Sequence, residues 1–299
     1  MEKDILDKYI QAGRIAAEVR EESRAFVKVN ASLLDIAEKI EALIREKGAE
    51  PAFPVNISIN EAAAHYTPAG RDETKIKKND LIKIDIGTHI DGYIGDTAYS
   101  ISFDKNNEKL IEASKKALEE AIKLCTPGRL LSDISSCIEE AIRGLGFNPI
   151  SNLTGHGLEQ YDLHAEPQVP NVKFNSGYKL RENQVIAIEP FATNGSGRIK
   201  ESEPTLIFSL RGRSPVRNQD ARKIMSFAGP FEGLPFAERW IPIDSLVKIR
   251  IALRELRERG ILYDYPVLRE VSDGIISQAE HTIIIKDEPV VTTELEKSN

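Results

Sequence analysis

Apolar positions near the N-terminus recur with helical spacing. Ile5, Ile10, Ala12, Ile15, Ala16 and Val19 form one stripe. Leu33, Ile36, Ile40, Leu43 and Ile44 form a second, ended by Gly48 at a position suited to a helix C-terminus. Residues 53–59, FPVNISI, switch to the alternation of a strand. Residues 81–103 alternate as well, and Asp91-Gly92 in their middle predicts a hairpin turn. Two more amphipathic helices are expected over 108–125 and 131–145. Strand-like pieces follow over 185–191, 205–209 and 281–286.

The pattern is partly duplicated. KYIQAGRIA (8–16) matches KLIEASKKA (109–117), and DIAEKIEALIREKGAEP (35–51) matches DISSCIEEAIRGLGFNP (133–149). Helix, helix and strand recur in the same order. A repeated helix-helix-sheet unit is therefore expected, with two halves related by a pseudo-twofold and a site between them that draws on both. Residues 195–260 fall outside this scheme. They carry 13 Lys and Arg against 8 Asp and Glu, open with Gly195-Ser196-Gly197, and contain a long predicted helix over 243–259. An inserted small helical subdomain is expected there, as a solvated packing element rather than a nucleic-acid contact.

Composition narrows the class. The 299 residues are 41% hydrophobic and carry a net charge of −7, which suits a folded, soluble protein and argues against a whole-protein nucleic-acid binder. The 2 Cys, Cys125 and Cys137, are too few for a disulfide framework and predict reduced thiols. No apolar run approaches the roughly 18 residues of a membrane span, and the charged N-terminus has no signal core. A cytoplasmic location is expected.

The chemistry lies in strands that break their own pattern. Asp85 interrupts LIKIDIG, Asp96 sits in YIGDTAY, Glu189 interrupts VIAIEPF, and Glu280 precedes the apolar run TIII. A carboxylate on a core face is costly unless it is paired or bound to metal. Asp85 and Asp96 lie on the two arms of one hairpin, so they can face one point. With His156 in a Gly-His-Gly segment, the set is four carboxylates and one imidazole. That is too oxygen-rich for a closed structural zinc site and suits two divalent ions such as Mn, Fe or Co, with Zn also admissible. A pair of such ions activates water and polarises a carbonyl. Of the other histidines, His89 and His281 read as supporting or surface residues.

These segments resemble the type II methionine aminopeptidases over essentially the whole chain. The resemblance is carried by AAAHYTP around His65, KIDIGTHIDGYIGDTA, LTGHGLEQYDLHAEPQVPN, AIEPF and QAEHTIII. It implies an α+β pita-bread fold with duplicated halves: a catalytic domain of residues 1–194 and 266–299, interrupted at 195–265 by the winged-helix-like insert typical of type II. The basic N-terminal extension of longer members is missing, as in the short prokaryotic-type form. The resemblance makes Asp85 a terminal ligand of one metal and Asp96 and Glu280 bridging ligands. His156 and Glu189 would complete the second metal, with Glu189 also shuttling a proton. His65 and His164 match the two non-ligand histidines that contact the substrate, and Phe53 and Tyr265 match walls of the methionine pocket. The implied activity is removal of N-terminal methionine from nascent polypeptides when the second residue is small. The implied state is a monomer with the ribosome as a candidate docking partner.

Two alternatives share this scaffold. A prolidase-type Xaa-Pro peptidase uses the same metal set but carries a large N-terminal domain, for which the stretch before Asp85 leaves no room. A non-catalytic binding protein of the same fold would have lost metal ligands, and all five are present here.

Overall fold

Two helices open the chain, α1 (Lys3–Ser23) and α2 (Leu33–Glu46). The structure is a computed structural model that describes residues 1–212 and 214–295. The Ser32 hydroxyl accepts from Asp35 N at the start of α2, satisfying one of the free donors of its first turn. The buried face of α1 is Tyr9, Ala12, Ile15, Ala16 and Val19. Ile10 lies off that face and is exposed, contrary to the stripe read from the sequence. Short strands β1 (Glu50–Pro51), β2 (Asn56–Ile59) and β3 (Ala62–Ala64) lead into the hairpin β4 (Leu81–Ile90) and β5 (Tyr93–Ser102). The turn is at Asp91 and Gly92, both with positive φ, as expected of a tight hairpin turn. β4 pairs with β1, β2 and β5. Helix α1 packs directly on β5 at Gly95, where a Cβ would come within 2.5 Å of the Gly13 backbone nitrogen.

The unit then recurs. Helices α3 (Glu108–Ile122) and α4 (Leu131–Gly144) are followed by β6 (Asn148–Pro149), β7 (Thr154–Glu159), β8 (Asp162–Pro170), β9 (Val185–Ile188) and β10 (Phe191–Thr193). Each half has its own core. Ile36, Ile40 and Ile44 of α2 pack with Ile57, Ile82 and Ile84. Ile134, Ile138 and Ile142 of α4 pack with Ile186, Ile188 and Ile283. These isoleucine triplets occupy matching places in the sequence repeat. The stretch predicted as one strand over 185–191 is two, broken at Glu189-Pro190.

The remaining elements are β11 (Ile199–Leu210), α5 (Gln219–Ala228), β12 (Phe236–Ala237), α6 (Leu246–Glu258), β13 (Leu262–Glu270), β14 (Ile276–Gln278), β15 (His281–Ile284) and β16 (Val290–Val291). Helix α6 starts later than the 243–259 pattern suggested, because Ser245 caps it by accepting from Lys248 N. The segment 195–265 contains strands as well as helices. The first part of β11 is polar and exposed, which hid its length; only its apolar end was legible. β11 pairs with β13 over most of its length, and β13 also pairs with β3, tying the insert to the first half. Phe208, Phe236, Ile249, Leu253 and Leu256 form the insert's core. The second half is carried by the sheet β16-β15-β9-β7-β8.

The two halves meet where β5 runs beside β15. Asp96 N donates to Thr282 Oγ1 (2.8 Å), and that hydroxyl donates back to Asp96 O (2.9 Å). Thr97 Oγ1 donates to Glu280 O (2.9 Å), and Glu280 N to Ala98 O (3.1 Å). Among the described residues no helix is long and apolar enough to cross a membrane.

Candidate metal centre

This seam brings carboxylates together. Asp85 pairs with Ala98 and Asp96 with Gly87, so the two side chains are diagonal neighbours on one face of the hairpin. Glu280 enters from the end of β14 across the seam. His156 on β7 is paired with Ala187, and Glu189 follows β9 on the same side. Ligand atoms of Asp96, His156 and Glu280 all lie within 4.8 Å of one another. His156 Nε2 is 3.8 Å from Asp96 Oδ2 and 3.7 Å from Glu189 Oε1. Its Nδ1 faces Gly157 O at 3.2 Å, which leaves Nε2 for the carboxylates.

One cavity is lined by every residue predicted for the site: Phe53, His65, Asp85, Asp96, His156, His164, Glu189, Tyr265 and Glu280. Asn56, Ala64, Leu163, Ile207 and Pro235 complete it. Walls therefore come from both halves and from the insert. Size does not mark the site. A larger groove of about 640 Å³ lies on the insert beside α6, but its Arg257 and Asp264, Arg254 and Glu258, and Arg250 and Glu238 pair with one another.

Two of the carboxylates have an oxygen without a partner. Asp85 Oδ1 and Asp96 Oδ1 are buried with no hydrogen-bond donor. Burial pushes the Asp85 carboxyl up to about 7. Burial, then the neighbouring carboxylates, raises Asp96 and Glu280 well above the ordinary range. Burial and the charge of Asp85 do the same to Glu189. A divalent cation is the group these atoms fit: it would supply the missing partner and reverse the electrostatic cost. The chemistry of the histidines agrees, because burial lowers His156 to about 4 and keeps its imidazole neutral, the form that ligates metal.

His65 and His164 face the same space without joining the carboxylates. His65 follows β3 with φ +65°, a left-handed conformation unusual for a side chain of its size. Its Nδ1 sits 3.2 Å from Pro266 O, so Nε2 is the nitrogen left to act. Burial lowers it to about 4. His164, on β8, lines the cavity and keeps an exposed edge. The protein packed around the ring first, and then His156 and His65, hold it well below its ordinary value. The His156 and His164 rings meet edge-on with centroids 4.8 Å apart, and the His65 and Tyr265 rings at 5.6 Å. His89 and His281 lie elsewhere: His89 Nδ1 accepts from Gly92 N in the hairpin turn, and His281 contacts Thr293 and Arg20.

Sequence reasoning missed Gln278 and Asn56. The Gln278 amide nitrogen lies 3.4 Å from both Glu189 Oε2 and Glu280 Oε2. Its place two residues before Glu280 was the available signal. Asn56 is the cross-strand partner of Asp85. A lone Asn in an alternating strand gave no signal. Both cysteines are free.

Residues 7–220 match the model of metallopeptidase family M24. A methionine aminopeptidase of Pyrococcus abyssi is 49% identical over 97% of this chain and 99% of its own length. The methionine aminopeptidase of Thermotoga maritima superposes with a TM-score of 0.74 at 23% identity, over 99% of this chain and 98% of that one. A thermophilic Arx1 superposes with a TM-score of 0.86 at 19% identity, over 100% of this chain and 93% of that one.

Proposed function

The chain belongs to metallopeptidase family M24 and has its pita-bread fold, and on that premise we propose how it acts as a methionine aminopeptidase. It hydrolyses the first peptide bond of nascent polypeptides that begin with methionine. Asp85, Asp96, His156, Glu189 and Glu280 would hold divalent metal, as two ions in this reading. Asp96 and Glu280, which approach each other across the seam, would serve both. Asp85 would serve one, and His156 with Glu189 the other. Co, Mn or Fe suits this donor set, and Zn is admissible. Ions bound there would polarise the scissile carbonyl and acidify the attacking water.

The remaining work falls to the chain's own groups. Glu189 takes the proton from the water and delivers it to the departing amine. His65 and His164, held neutral, hydrogen-bond the scissile amide, one at the nitrogen and the other at the carbonyl oxygen. Phe53 and Tyr265 wall the methionine side chain. In this reading the second residue of the substrate is small, because it must fit beside the carboxylates. The reading also makes the protein a cytoplasmic monomer that meets its substrates as they leave the ribosome.

One observation carries the proposal: four clustered carboxylates, two of them with a buried oxygen that no donor reaches, border a cavity with two neutral histidines. The test is metal-dependent release of methionine from Met-Ala and Met-Gly peptides, with Pro-Xaa and Xaa-Pro peptides as controls. Cleavage of the Xaa-Pro controls in preference would overturn it.

A further inference from the structure

The insert and the first half share a buried ring of hydrogen bonds whose residues do not line the cavity. Glu41 on α2 accepts from Val55 N (3.2 Å), from Trp240 Nε1 (2.9 Å) and from the guanidinium of Arg239. Arg239 also donates to Thr67 Oγ1 (2.5 Å) and to Pro68 O (3.2 Å). Thr67 Oγ1 donates to Val55 O (2.9 Å), which closes the ring. The Arg239 and Glu41 side chains are 3% and 4% exposed.

Two buried charges are a poor way merely to glue an interface, since packed apolar groups do it as well or better. What the ring adds is a fixed backbone geometry, and it lies where geometry matters. Thr67 is two residues beyond His65. That histidine has φ +65°, a conformation that persists only where the surroundings hold it. On its N-terminal side, Ala64 is held by pairing with Leu268. On its C-terminal side, Tyr66 O accepts from Ile57 N (2.7 Å), and the ring then holds Thr67 and Pro68.

We propose that Glu41 and Arg239 are positioning residues for His65: their ring pins the chain just beyond the left-handed residue and so aims the imidazole into the cavity. The insert thereby contributes to turnover through Arg239, which touches neither the carboxylates nor the cavity. This inference rests on the reading of His65 as a group that contacts the substrate.

The test is a double-mutant cycle on the metal-loaded enzyme. Arg239→Met should lower kcat about 10- to 100-fold, the usual cost of losing a supporting partner, with KM and bound metal little changed. In a His65→Ala background the same substitution should cost less than about twofold, because the residue it positions is gone. Arg239→Lys, which keeps the charge, should recover part of the turnover. The pair Glu41→Met with Arg239→Met should recover the melting temperature but not kcat. Glu41→Gln repeats the cycle with a milder change should Arg239→Met fold poorly. Equal losses in both backgrounds, or kcat that follows melting temperature across the set, would overturn the inference while leaving the role of His65 intact. Full turnover in His65→Ala alone would overturn that role, and this inference with it.

Discussion

Glu270, at the end of β13, and the carboxylates of the cavity are both removed from water, and the chain treats them in opposite ways. Glu270 is 0% exposed and accepts from Ser196 Oγ (2.6 Å), Gly197 N (3.1 Å), Ser272 N (2.5 Å), Ser272 Oγ (2.7 Å) and Gly274 N (3.1 Å). Burial works to raise its pKa, but these donors outweigh it and hold the group down at about 2. In the cavity, burial meets little more than the Gln278 amide, and Asp85, Asp96, Glu189 and Glu280 are all raised. A carboxylate whose needs the chain meets is a structural knot. Carboxylates left in need, together, mark a place where something else must bind.

The contrast is open to attack by experiment. The largest effect should come from the cavity: Asp96→Ala or Glu280→Ala should abolish metal binding and lower kcat/KM by about four orders of magnitude or more, the scale for members of a concerted set. In the metal-free protein the same Glu280→Ala should raise the melting temperature, because it relieves repulsion. Elemental analysis and calorimetry read both halves. A lower melting temperature for metal-free Glu280→Ala would break the comparison.

Next come the histidines that share the cavity without joining the carboxylates. His65→Ala and His164→Ala should retain wild-type metal content while losing about 10²–10⁴ in turnover. Loss of metal in either would move that residue into the ligand set.

For the knot, Glu270→Gln should destabilise by about 2–3 kcal/mol, the size of lost hydrogen bonds to a charged group. Metal content should not change. Chemical denaturation gives the first quantity and elemental analysis the second.

The smallest and most diagnostic effect is the opposite pH dependence of the two regions. A carboxyl with a raised folded pKa binds its proton more tightly in the folded chain, so stability falls as pH rises between the unfolded and folded values. The metal-free protein should therefore lose stability from about pH 4, with Asp85 contributing up to about 7, and added divalent metal should restore it. Glu270, with its folded pKa depressed, contributes stability that is present above its ordinary value of 4.5 and lost as pH falls toward about 2. The gap between wild type and Glu270→Gln should close over that acidic range. Melting curves across pH, with and without metal, separate the two slopes.

Much of this was legible before any coordinates. The repeat at 35–51 and 133–149 correctly paired Ile36, Ile40 and Ile44 with Ile134, Ile138 and Ile142, since buried helix faces impose their period on the chain. The hairpin turn was legible from Asp91-Gly92. Ile10 and the polar start of β11 were misread because a local pattern does not say which neighbour covers a face. The Glu41–Arg239 contact joins residues 198 positions apart, and neither residue stands out from the charged helical or loop context around it.

Glu270 draws the line most clearly. In sequence it is one more glutamate closing a mostly apolar strand, no different in kind from Glu189. The periodic cores, the duplicated halves and the carboxylates where apolar residues belong are readable along the chain, because they depend on local spacing and residue type. Which carboxylates gain donors and which do not depends on how distant segments pack. Donors such as Ser196 and Gly197 reach Glu270 from more than 70 positions away. Across the β5–β15 seam the backbone is paired, but the fold brings the side chains together carboxylate against carboxylate. A hydrogen-bond balance belongs to a place in space, and the chain assembles that place from segments that carry no sign of one another.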